Sequence, residues 1–272
     1  MKQRTRERLI NHPLWPLIQP IFSIGVWASA FALMFVGAIT AILVNPWVKF
    51  RDAHWFFAGI TLGKVVPLTG SELTVEFHPD FDPERRGVFC QNHVNIFDGH
   101  VAAASFPHPF VGLMEAWHFK IPAYGWLMKI AESIPVPADR TGRTREMAAS
   151  LRDRVGKGLS LLVFPEAHRT LDGHVARYKR GVFFMARDAE VPVIPVGVRG
   201  AYEVNRKGDW KFTPGHIRVF IGPQIETAGL SDEEITRLSR RVQRMTAAYV
   251  ETGHMPTDDE ILGDAPYPED EA

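Results

Sequence analysis

From Ile21 to Val44 the chain runs for 24 residues without a charge, and only Ser23, Ser29 and Thr40 are polar. As a helix this stretch is about 36 Å long at about 1.5 Å per residue, enough to cross a hydrocarbon core of about 30 Å. A signal peptide has a shorter apolar region and a small-residue cleavage site. Here Trp47, Lys49 and Phe50 follow instead. Trp15, Trp27, Trp47 and Trp55 are four of the chain's seven tryptophans, placed as rings at a membrane interface are. Arg4, Arg6 and Arg8 precede the run and Lys49 and Arg51 follow it, so the positive-inside rule is nearly balanced. Asn45-Pro46 breaks the helix. Beyond it, Trp47 to Val66 mixes Lys49, Arg51 and Asp52 with Trp55, Phe56, Phe57, Ile60 and Leu62, an amphipathic, interfacial pattern. Two helices joined there either span once or dip into one leaflet and return. Residues 1–66 are therefore expected to form a membrane-associated helical segment.

The 272 residues suffice for one substantial α/β domain plus this accessory segment. Lys+Arg and Asp+Glu both total 31, so no global field points towards nucleic acid. The single cysteine, Cys90, excludes an intramolecular disulfide and a cysteine-based zinc site. It lies in a strand-like run and reads as a small core residue.

After Pro67 the pattern changes. "LTVEFH" alternates, and "GVFCQN" is a continuous apolar run of the kind a buried strand shows. "FVGLMEA", "IPVP", "LSLLVFPE", "VPVIPVGV" and "IRVFIG" follow, separated by helical patterns at Gly99 to Phe106, Arg143 to Val155 and Gly181 to Asp188. Strands alternating with helices predict an α/β fold whose mostly parallel central sheet is flanked by helices. Ser231 and Glu234 form a capping box for a last helix. Residues 67–252 are expected to be this domain, and 253–272 an acidic, Pro-rich disordered tail.

"QNHVNIFDGH" places His93 five residues ahead of Asp98. In a continuous helix the two side chains point about 140° apart, whereas a strand-to-helix turn lets them converge. Asp98 then has two compatible tasks: capping the helix from Gly99 onward, and accepting the Nδ1–H of His93 to fix its tautomer. Nε2 is left to take a proton from an attacking hydroxyl. Downstream, "LLVFPEAHRT" ends a strand with Pro165, Glu166 and Arg169 at its polar end, where α/β sheets place ligands.

These blocks, with "KIPAYGWLMKIAESIPVPADR" ending in Arg140 and the Pro-containing strand Val191 to Pro195, resemble the glycerolipid acyltransferases, the 1-acylglycerol-3-phosphate acyltransferases and their relatives. The family's N-H-x-x-x-x-D block is matched by Asn92, His93 and Asp98, and its F-P-E-G-T-R-S block by Phe164, Pro165, Glu166 and Arg169. Its Phe-Lys-x-Gly element resembles Tyr178, Lys179 and Gly181. The resemblance implies acyl transfer from acyl-CoA or acyl carrier protein to a hydroxyl of a lysophospholipid, most simply 1-acylglycerol-3-phosphate, with no resident cofactor or metal. It implies His93 and Asp98 as the catalytic pair and Asn92, Arg140, Glu166, Arg169 and Lys179 as substrate-binding residues. The arginines are phosphate-binding candidates because a guanidinium pairs with phosphate in a fork. The partners implied are a membrane lipid and the thioester donor, with the domain on the cytoplasmic face of the cell membrane, where such donors are found. One departure bears on the acceptor: the family's Gly-Thr is Ala167-His168 here.

Other classes compete. His93, Asp98, His100, Glu166 and His168 are metal-ligand types, which a metal-dependent hydrolase would use, although no standard zinc spacing occurs. A non-catalytic membrane adaptor, or an acyltransferase with glycerol-3-phosphate, a lyso-ornithine lipid or another lysolipid as acceptor, also fits parts of the pattern.

Overall fold

The computed structural model describes residues 3–121, 124–136, 143–254 and 256; Arg140 and, apart from Gly253, His254 and Pro256, the proposed acidic tail lie outside the described residues. The chain opens with α1 (Gln3–Ile10) and the long α2 (Trp15–Val44), then a π-helical stretch at Trp55–Gly63 and the short α3 (Val65–Leu68). Then come β1 (Glu72–Phe77), β2 (Val88–Gln91), α4 (Asp98–Ser105), β3 (Phe110–Glu115), α5 (Tyr124–Ile130) and β4 (Ile134–Val136). The remainder is α6 (Arg143–Gly156), β5 (Ser160–Val163), α7 (Gly181–Ala189), β6 (Val193–Arg199), α8 (Ala201–Val204), β7 (His216–Ile221) and α9 (Asp232–Thr252).

The seven strands form one sheet in the order β1-β7-β6-β2-β5-β3-β4. β2 pairs in parallel with β5 and β6, and β3 in parallel with β5 and β4, so five carboxyl ends share one edge. β7 is antiparallel to β6, and β1 follows it. The central strands are buried on both faces, which is why they read as unbroken apolar runs. Phe89 and Leu162 face a core shared with α4, α3 and α2, while Val88, Cys90 and Leu161 face the opposite core with α6, α7 and α9. On α9 the capping box forms between Ser231 and Glu234 as its sequence requires. Gly197 makes room for the same helix: a Cβ there would come within 2.8 Å of the Tyr249 ring.

α2 starts earlier than the uncharged run and is 30 residues long, about 45 Å at about 1.5 Å per residue. It is the one described helix long and apolar enough to cross a membrane. Its first half is fastened to the sheet domain. Val26 and Ala30 belong to the core, and Trp27 packs on Phe97 and Phe212 at 5.4 and 5.5 Å. Trp27 Nε1 donates to Trp210 O at 2.8 Å, and Phe212 N–H donates to Ser23 Oγ at 2.9 Å. The other face exposes Leu17, Ile21, Ile24, Phe31, Phe35, Ile39 and Ile42, a stripe at helical spacing. Beyond Asn45 the chain turns, and the π-helical stretch packs against α2. Gly37 permits the close approach, since a Cβ there would meet Thr61 Cγ2 at 2.5 Å.

Candidate active site

β2 ends at Gln91, and six residues of turn lead into α4 at Asp98. His93 Nδ1 lies 2.7 Å from Asp98 Oδ2. The same oxygen accepts the Val94 and Asn95 N–H groups at 2.7 and 3.1 Å. The expected helix cap is thus corrected. Phe97 occupies the cap position with no side-chain bond, and the Asp98 carboxylate reaches back onto the loop that carries His93. Asp98 is buried, and burial raises its pKa, opposed by His93 and the two loop amides. Three donors converging on Oδ2 require that oxygen to act as an acceptor, which leaves Nε2 as the histidine's free nitrogen.

The third block grips the same histidine. Phe164 stacks on the imidazole with centroids 4.1 Å apart and planes 15° from parallel. Glu166 Oε1 accepts the His93 backbone N–H at 2.7 Å, and the Thr170 N–H donates to His93 O at 2.8 Å. Both ends of the His93 residue are therefore held by one loop. Glu166 Oε2 accepts the Ala176 N–H at 2.8 Å, so both carboxylate oxygens are spent on backbone. Glu166 is 5 % exposed, and burial pushes its carboxyl up to about 7 against those two amide donors. Read as substrate-binding from the sequence, it is positioned here to fix the His93 loop.

Asn92, also expected to bind substrate, likewise has its amide engaged with backbone. Its side chain is buried, donating to Val198 O at 3.0 Å and accepting the Val198 N–H at 2.7 Å, a clip between β2 and β6. Asn95, absent from the sequence-derived site, does similar work. Its Oδ1 accepts the Phe97 N–H at 2.8 Å and its Nδ2 donates to Ala201 O at 2.9 Å. An Asn able to bond two residues onward in a turn is the signal that would have found it.

Arg169 is half-buried; its carbonyl accepts Lys207 Nζ at 3.2 Å, and its guanidinium has no hydrogen-bond or ion-pair partner among the described residues. Lys179 is exposed, its backbone N–H donating to Pro165 O at 2.8 Å. Ala167 adopts φ +67°, the left-handed region that favours glycine, and His168 beside it is exposed. Among the described residues no three His, Cys, Asp or Glu side chains gather as a metal-ligating group. The metal-hydrolase reading therefore has no ligand set there.

The arrangement offers a fixed imidazole with one free nitrogen beside a cationic loop, at the carboxyl edge of the sheet. Residues 72–199 match the family model described as Acyltransferase. Proteins named 1-acyl-sn-glycerol-3-phosphate acyltransferase are similar over most of their length. That from Limnanthes alba is 25% identical over 239 residues, covering 86% of this chain and 83% of the relative. That from Pseudomonas aeruginosa is 24% identical over 233 residues, covering 83% and 89%. The crystal structure of the 1-acyl-sn-glycerophosphate acyltransferase from Thermotoga maritima superposes with a TM-score of 0.72 at 23% identity, covering 87% of this chain and 96% of that one, and so shares the fold. Residues 72–199 thus form an Acyltransferase-family domain, the chain is similar over most of its length to 1-acyl-sn-glycerol-3-phosphate acyltransferases, and it is an acyltransferase.

Proposed function

We propose that this enzyme moves a fatty acyl group from a thioester donor, acyl-CoA or acyl carrier protein, to the free hydroxyl of 1-acylglycerol-3-phosphate, giving phosphatidic acid. His93 Nε2 takes the hydroxyl proton, and the alkoxide attacks the thioester carbonyl. The tetrahedral oxyanion collapses with cleavage of the C–S bond, and the leaving thiolate takes the proton back from the imidazolium. Asp98 holds the ring in the required tautomer and stabilises its charged form. A thioester is already activated, so no serine or cysteine nucleophile is needed. Cys90 is buried with its thiol pKa pushed well up, unsuited to attack.

The observation that carries this reading is the 2.7 Å His93–Asp98 contact, tied by Glu166 and Thr170 to the loop that carries Arg169. The guanidinium of Arg169 is assigned to the acceptor's phosphate, supported by its lack of a partner among the described residues. Lys179 and Arg140 are proposed as further phosphate contacts on family resemblance. The exposed apolar stripe of α2 supports placement on a membrane; the thioester donor supports its cytoplasmic face.

The test is incubation of purified protein with labelled acyl-CoA and a panel of lysolipids, with products identified by mass. Phosphatidic acid should dominate. If lysophosphatidic acid is ignored and another lysolipid is acylated, the acceptor assignment fails while the chemistry stands. If no acyl group is transferred to any lysolipid or to glycerol-3-phosphate, from either donor, the reading fails.

A further inference from the structure

The sheet domain carries four large apolar side chains at the edge that bears the site. Ile96, Trp117, Leu171 and Trp210 are 54, 58, 74 and 47 % exposed. Each lies in a different connection: Ile96 after β2, Trp117 after β3, Leu171 after β5 and Trp210 after β6. Those strands are mutually parallel, so the four connections leave the sheet at the edge that carries His93 and Asp98. Single exposed apolar residues are ordinary, but one on each of four neighbouring loops, around one site, is a patch that marks a contact surface.

Two observations identify the partner. Trp210 is tied to α2 through the Trp27 Nε1–H donating to its carbonyl, so the rim is continuous with the exposed Leu17, Ile21 and Ile24 of that helix. The surface that begins on an apolar helix thus extends onto the catalytic loops. Charge is the second. Segments 164–180 and 200–213 together hold seven Lys or Arg against four Asp or Glu, in a chain whose formal charge is zero. Arg206 is exposed, held over the Tyr202 ring, and Lys211 follows Trp210 directly. Apolar tips beside Arg206 and Lys211, neither in an ion pair among the described residues, match a lipid surface whose headgroups are anionic.

We propose that this rim is a membrane-docking surface of the catalytic domain itself. The four apolar tips insert into an anionic phospholipid bilayer, with Arg206 and Lys211 on its headgroups. The opening to His93 then lies in the interfacial layer, and an acceptor reaches it without leaving the bilayer. The inference rests on the reading of the acceptor as a membrane lysolipid.

The experiment uses full-length protein bound to vesicles of equal parts phosphatidylcholine and phosphatidylglycerol, brominated in their acyl chains. Leu171→Cys is labelled with an environment-sensitive fluorophore; Cys90 is buried and stays unlabelled. Glu84→Cys, exposed in the connection entering β2 at the opposite edge, is the reference. The label at 171 should shift to the blue and be quenched several-fold, and that at 84 should not. A label at 171 left unquenched on vesicle-bound protein, or equal quenching at both positions, overturns the proposal. Phosphatidylglycerol should deepen quenching at 171 relative to pure phosphatidylcholine, and R206Q with K211Q should abolish that increment. No increment in the unsubstituted background overturns the anionic assignment. The readout requires no turnover, so a wrong acceptor and a wrong docking surface give different results.

Discussion

Glu166→Gln removes an acceptor from a carboxylate that uses both of its oxygens on backbone amides. Above pH 7 the carboxylate is charged and accepts the His93 and Ala176 N–H groups at 2.7 and 2.8 Å. Hydrogen bonds to a charged group are worth about 1.5–3 kcal/mol each, and a buried donor left unpaired costs about 1–3 kcal/mol. Glutamine has one acceptor oxygen, and its NH₂ meets the other amide donor-to-donor. Relief from burying a charge offsets part of the loss, leaving a net destabilisation of about 2–4 kcal/mol. At about 2–4 °C per kcal/mol for a domain of this size, Tm should fall by roughly 5–15 °C. Because the amide released belongs to His93, the proposed base, kcat should fall about 10–100-fold through misplacement of the imidazole. KM for the acceptor should change little. Calorimetry and steady-state kinetics on the same preparation read both. An unchanged Tm with KM raised and kcat preserved would mean that Glu166 touches substrate, and the positioning argument would be wrong.

His93→Ala should leave a folded protein without measurable acyl transfer, and Asp98→Asn should lower kcat on the order of 10³–10⁴-fold, since Asn keeps the loop amides but cannot stabilise an imidazolium; rapid single-turnover assays check both, and normal rates refute the base assignment. Glu166 holds its proton up to about 7 in the folded chain, above its ordinary 4.5, so it adds stability that is fully present below pH 4.5 and is lost as pH rises through 7. A plot of Tm against pH should therefore be flatter in Glu166→Gln than in the parent across that window. Ala167→Gly relieves about 1–2 kcal/mol of left-handed strain against about 0.4–1 kcal/mol of added freedom in the unfolded chain, giving a gain of about 1 kcal/mol in chemical denaturation. Adding His168→Thr should raise KM for lysophosphatidic acid; a gain of activity on that lipid would show instead that His168 excludes the phosphate.

The sheet was legible because its central strands are buried on both faces, which writes Val88 to Gln91 and Val193 to Arg199 as continuous apolar runs. His93 and Asp98 were legible because chemistry constrains their types and spacing. The roles of Asn92 and Glu166 were not. Both belong to the motif, yet their partners are main-chain groups of Val198, His93 and Ala176, and a backbone amide leaves no mark on the sequence that names its partner. The reversal of β7 was hidden for a related reason: its residues show the same apolar pattern whichever way the strand runs. The fastening of α2 to Trp210 and Phe212 was likewise masked, because an apolar helix face reads the same against protein or lipid.

That fastening also bears on how the chain is made. The Ser23–Phe212 bond joins residues 189 apart, and Glu76 and Arg218, on the β1–β7 pair at the sheet's first edge, are separated by 142. At translation rates of about 5–20 residues per second, roughly 10–40 s pass between emergence of α2 and synthesis of its docking site. In that interval α2 can pack on the π-helical stretch and α3, but the face that meets Trp210 and Phe212 has no partner yet. A ribosome-associated factor or a bilayer must cover it, and the catalytic domain can close only once its last strand has arrived.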